Sequence, residues 1–198
     1  MSSATPLKFR FSMNRMLAIA LICSAPAASA ICQSSRAALA PSDAAQLRDQ
    51  YATDLDSVHA KISALATAIP AEKYSWRPAP GVRSVSEVLM HLSGEWYFYC
   101  PRSIGSTEPA NFGDPHAKLA ALEKVVTKEK VLAQMKESWS YCKAQLAGAD
   151  PAMLTAKYKP WNITLGDAAF SMTGDQHEHL GQLIAYARSI GVKPPWSK

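Results

Sequence analysis

The chain has 198 residues, 48% of them hydrophobic and 19% charged, with a formal charge of +5. These values fit one globular domain and exclude a disordered or fibrous chain. Three basic residues, Lys8, Arg10 and Arg15, lie in an N-terminal segment with no acidic residue. Without that segment the charge is nearly balanced, and no basic stripe remains of the kind nucleic acid requires.

Residues 1–30 read as a signal peptide. The three basic residues precede a short apolar run at 16–23 (MLAIALIC), and Ala28, Ser29 and Ala30 form a small-residue cleavage site. The run is too short for a permanent span. An uncleaved anchor, or a start at Met13 or Met16, is the alternative. A lipoprotein signal fits poorly, because Ile22 precedes Cys23 and Ile31 precedes Cys32 where a small residue is needed. The expectation is an exported protein, periplasmic or secreted, with residues 31–41 a flexible leader and residues 42–198 the domain. No second apolar run of spanning length follows.

Four long helices follow in order. Ser42 is the expected N-cap of the first. Leu47, Tyr51, Leu55, Val58, Ile62, Leu65 and Ile69 then recur at steps of three and four until Pro70. After a turn-rich stretch, Ser84 and Glu87 match a capping box for the second helix. Its stripe is Val85, Val88, Leu89, Leu92, Trp96 and Tyr99, and Pro101 is its expected end. A long connection with a short helix at 116–125 leads to the third helix at 128–146, striped by Leu132, Met135, Trp139, Cys142 and Leu146. Gly148, Asp150 and Pro151 break the chain. The fourth helix starts near Thr164 with Asp167 as capping partner, carries Leu165, Ala168, Met172, His179, Leu183 and Tyr186, and stops at Gly191. No strand is expected. The class is an all-α four-helix bundle, and the long connection favours a crossover that makes the second and third helices parallel.

The chemistry-bearing residues fall on the second and fourth helices. Positions advance by about 100° per residue, so Asp175 lies about 40° from His179 on one face, and His177 about 160° away. The i, i+4 spacing lets one helix offer two ligands to one ion. His91 flanks the stripe of the second helix, with Glu87 and Glu95 one turn on either side. If His91 faces Asp175 and His179, two imidazoles and a carboxylate converge. The rival is a structural Asp–His hydrogen bond beside an unrelated His91, which spacing alone favours because buried polar groups usually satisfy each other. Glu87 reads as a cap. Glu95 is the candidate proton acceptor, or an acceptor fixing a histidine tautomer. His59 and His116 lack partners at useful spacing and read as solvated. No phosphate loop, serine elbow or C-x-x-C is present.

Trp76, Arg77 and Pro78, followed by Ser84, Val85, Glu87, Leu89, His91 and Leu92, resemble the approach to the second helix of DinB-like proteins. The run from His179 through Gly181, Gln182, Leu183, Tyr186 and Arg188 to Gly191, Pro194 and Pro195 resembles that family's last helix and exit. The resemblance covers residues 42–195. It implies a four-helix bundle with a three-histidine metal site, one ligand on the second helix and two on the fourth. His91 and His179 match two of them. The remaining position holds Asp175, which converts the set to two histidines and one carboxylate. The resemblance further implies a divalent ion of the zinc, nickel or iron class and a small-molecule substrate. Members include thiol-dependent transferases and isomerases, and others with only a provisional hydrolase assignment or none. Two function classes stand: an exported metal-dependent hydrolase or transferase, and a non-catalytic bundle binding a small ligand, with the Asp–His pair structural. A homodimer is compatible with either.

The cysteines carry one more expectation. Cys100 continues the second-helix stripe at its C-terminal end and Cys142 sits near the end of the third. Parallel helices packed about 8–10 Å apart bring these ends to one level, so a disulfide is expected in an oxidising compartment. Two buried free thiols are the alternative.

Overall fold

The computed structural model describes residues 39–159 and 162–197. The signal segment, Cys32 and nearly all of the leader lie outside the described residues. Five α-helices carry the fold: α1 Pro41–Ala68, α2 Val85–Ser103, α3 Pro115–Leu122, α4 Lys128–Ala147 and α5 Leu165–Ser189. Helices α1, α2, α4 and α5 are the four long helices expected, and α3 is the short one in the connection.

The helix ends follow their local chemistry. Ser84 accepts from Glu87 N while the Glu87 carboxylate takes Ser84 N–H at 2.6 Å, a complete capping box. Thr164 and Asp167 build the same box at the start of α5. Ser42 does not cap α1. Pro41 occupies the first helical position, where its missing N–H costs nothing, so the cap falls on Ala40. Pro101 does not end α2 either; two more helical residues follow it. Proline constrains the residue before it and the carbonyl four back, while its own φ is helical, so the last turn continues until Gly105 at φ 75°.

Pair contacts fix the helix directions. Trp96 packs on Trp139 with ring centroids 5.7 Å apart, and one turn on Cys100 is bonded to Cys142, so α2 and α4 run parallel. The expected disulfide is therefore present, with Cα atoms 5.8 Å apart and both cysteines fully buried. Tyr51 meets Ser103 and His59 meets Trp96, which sets α1 antiparallel to α2. His91 faces His179 and Arg83 receives the Tyr186 hydroxyl, so α5 is antiparallel to α2 and parallel to α1. The long connection through α3 is the crossover. Leu55, Ile62, Leu65, Leu89, Trp96 and Leu183 lie fully buried at the centre. The glycine at 94 leaves room for the Leu119 side chain of α3, which a Cβ there would meet.

Two departures complete the fold. Lys157–Tyr158 pairs antiparallel with Ile163–Thr164, although no strand was expected; two residues cannot show a strand's period. His59 is not solvated. It is half-buried, stacked on Trp139 at 4.1 Å and bonded to Ser63. Its aromatic partners, Trp139 and Trp96, come from α4 and α2, far off in sequence, while Ser63 lies one turn on along α1. Burial pushes its pKa down to about 4, with Asp56 opposing the shift and Lys143 assisting it.

Candidate metal centre

Helix α2 presents His91 and Glu95 one turn apart, and α5 presents Asp175 and His179 at the same spacing. The antiparallel pairing of α2 with α5 brings the two halves together. One ligand atom from each of the four lies within 4.8 Å of every other. The His91 and His179 rings meet edge to face, with centroids 5.0 Å apart. His91 Nε2 stands 3.0 Å from Glu95 Oε1, and His179 Nε2 stands 3.7 Å from Asp175 Oδ2.

The outer partners orient each donor. Tyr186 donates its hydroxyl to Arg83 O and so accepts from Gln182 Nε2. That leaves Gln182 Oε1 to accept from His179 Nδ1 at 2.9 Å, and the His179 Nε2 lone pair faces the centre. At His91 the corresponding group is Glu123, whose Oε1 lies 3.3 Å from Nδ1 and 3.0 Å from Arg83 Nη2. A histidine whose far nitrogen faces a carbonyl or carboxylate is oriented as a metal ligand is. Gln176, fully buried, donates to Glu95 Oε2 at 2.5 Å and accepts from Trp96 Nε1 at 2.8 Å. Glu95 thus keeps Oε1 for the centre.

The electrostatics are those of packed donors. Burial, then the Asp175 carboxylate beside it, pushes the Glu95 carboxyl well above the usual range. Burial pushes the His91 imidazole down, and Arg83 adds to the shift while Glu123 opposes it. Asp175 Oδ2 is shielded from solvent yet has no hydrogen-bond partner, although the rest of that side chain is partly exposed. An unsatisfied buried oxygen costs roughly 1–3 kcal/mol. Two neutral imidazoles and two carboxylates suit a borderline divalent cation, whose charge they balance, and an ion would satisfy the orphaned oxygen. The residues therefore fit a metal. A cavity of about 360 Å³ opens beside them, walled further by Tyr99, Ser103, Ala168 and Met172.

His91, Asp175, His179 and Glu95, the four residues singled out in the sequence, are brought together. Their environments differ from expectation in two ways. Glu95 faces the centre as a potential ligand, not from behind a histidine, and the backing groups are Glu123 and Gln182. His179 is on the flank of the buried stripe, which runs Met172, Gln176, Leu180, Leu183. Sequence reasoning missed Gln176, and a polar residue inside that stripe was the available signal. Glu123, at the far end of α3, had none. His177 points away and pairs with Asp54 on the surface, and Glu87 caps, as the helical phase and the capping box required.

An antiparallel pair of bundle helices that aims histidines and carboxylates at one point defines a class of helical bundles whose donors could hold a metal ion. A family model described as the DinB superfamily matches residues 54–183, more than half of the chain, and the chain belongs to that superfamily. No curated protein matched.

Proposed function

We propose that the chain is an exported, divalent-metal-dependent enzyme acting on a small molecule, of the hydrolase or thiol-dependent transferase class. One observation carries this reading: four donors from two helices converge on one point, with both imidazoles oriented from behind and a cavity alongside. His91, Asp175 and His179 would hold the ion, of the zinc, nickel or iron class. A divalent ion in such a site lowers the pKa of a bound water or thiol and polarises a substrate oxygen or sulfur. Glu95 Oε1, beside those ligands and raised in pKa by burial, holds or accepts a proton within reach of the cavity. Gln176 keeps that carboxylate turned toward the centre, and Glu123 and Gln182 keep the Nε2 atoms turned inward.

Export belongs to the same reading. It rests on the basic, apolar and small-residue order of residues 1–30, and the buried Cys100–Cys142 disulfide fits an oxidising compartment. Among the described residues, no helix is long and apolar enough to cross a membrane.

The mostly apolar cavity walls favour a second reading, a non-catalytic bundle that binds an apolar molecule with the Asp–His pair structural. Metal titration separates the two. Protein stripped by mild chelation and reloaded with zinc, nickel or ferrous iron should bind one equivalent per chain. It should gain thermal stability, about 2.7 kcal/mol at a hundredfold excess over Kd. Substoichiometric uptake with unchanged stability would favour the binding module.

A further inference from the structure

The cavity beside the centre has a shape that selects its occupant. On α2 its lining residues are His91, Glu95, Tyr99 and Ser103, four positions spaced one turn apart. On α5 they are Ala168, Ser171, Met172 and Asp175, again a single stripe. The helices are antiparallel, with His91 opposite His179 and Glu95 bonded to Gln176. The same register carries Tyr99 to Met172 and Ser103 to Ala168. The cavity is therefore a groove between two helices, with the donor group at one end. From His91 to Ser103 the axis advances ~18 Å.

The two ends differ in chemistry. The donor end holds two imidazoles and two carboxylates. The far end is lined by small residues, and Met172 and the Tyr99 ring form walls between. Among the described residues, no lysine or arginine lines the groove. Arg102, a cation whose charge acts on Tyr99, is committed to Glu108 through two nitrogens. The volume of about 360 Å³ is at the small end of the range for ligand sites, about 300–1,000 Å³.

Resting on the metal-centre reading above, we propose that this groove takes elongated, largely apolar molecules with a single metal-seeking head, and excludes those with an anionic tail. The head sits at His91, Asp175 and His179. The tail runs toward Ser103 and Ala168, which set how long a tail is accepted.

The test uses linear alkyl hydroxamates, acetyl to decanoyl, on the metal-loaded protein by calorimetry. Affinity should rise by about fourfold for each added methylene until the groove is filled, then level off. Ala168→Leu should move the plateau to shorter chains while metal content stays at the wild-type value. Ala168 is buried and the larger side chain could prevent folding, so Ser171→Leu, at an exposed lining position, provides the same test. Suberic acid monohydroxamate, with a carboxylate at its far end, should bind at least tenfold more weakly than octanoyl hydroxamate. Equal affinity along the series, a plateau unmoved in the folded variants, or equal binding of the carboxylate-tailed probe would overturn the proposal and leave the metal reading intact. Failure of the wild-type protein to take up metal would instead remove that reading and this one with it.

Discussion

Gln176 Nε2 donates to Glu95 Oε2 at 2.5 Å, and that bond determines which carboxylate oxygen is left for the space between His91 and His179. The same amide accepts the indole N–H of Trp96. Replacing Gln176 by Leu would keep the volume and leave both partners unpaired in the core. The expected loss is ~2–4 kcal/mol of stability, from two buried polar groups left without partners. Metal affinity should fall by about 10- to 100-fold, as when other outer partners are removed. Denaturation and metal titration of the Q176L protein check this; wild-type affinity would mean the amide does not orient Glu95.

The two α5 histidines separate site from surface. His179→Ala removes a donor from the centre and should abolish metal uptake. His177→Ala removes only an exposed pair with Asp54, and should leave uptake unchanged and stability within about 0.5 kcal/mol. Stoichiometry by elemental analysis decides it. Equal losses in both variants would contradict the geometry of α5.

The disulfide should be the main covalent support of the bundle. Its cysteines are 42 residues apart, and closing a loop of that size restricts the unfolded chain enough to stabilise the fold by about 4 kcal/mol. A Cys100→Ala, Cys142→Ala double variant should lose about that much in chemical denaturation. A loss below ~1 kcal/mol would show that the packing of α2 on α4 does not need the bond.

His59 should make the fold sensitive to acid. Its pKa is about 4 in the fold and near 6.5 when unfolded, so the unfolded chain binds the extra proton between those values. The contribution is present above pH 6.5 and is lost as the pH falls toward 4, where both states are protonated. Its size is at most ~3 kcal/mol before screening at the exposed edge of the ring is discounted. His59→Gln should flatten the stability profile across that window relative to wild type. An unchanged slope would place the acid sensitivity on other groups.

Export has its own readout. Secreted or periplasmic protein should begin near Ile31 on N-terminal sequencing. Retention of Met1 on protein confined to the cytoplasm would contradict the signal reading.

Much of the fold was legible because helices record their buried face as a period. The stripes of α1, α2, α4 and α5, except at Leu47, which is exposed, and His179, which is on the flank, needed only local sequence, as did both capping boxes and the opposed directions of His177 and His179. The crossover followed from the length of one connection, and the disulfide followed from the crossover. What escaped depends on pairings across the chain. Glu123 reaches His91 from a different helix, His59 is half-buried against tryptophans on α2 and α4, and the two-residue strands are too short to carry a pattern. Gln176 was visible in principle as a polar break in an apolar stripe, but its partners Glu95 and Trp96 lie about eighty residues away.

Anomalous diffraction from crystals of the metal-loaded protein, recorded at the absorption edge of the bound ion, tests the central claim most directly. The predicted result is one strong peak per chain between α2 and α5, about 2 Å from donor atoms of His91, Asp175 and His179. No peak at that point in protein shown to be folded, or a peak held by other residues, would contradict the claim.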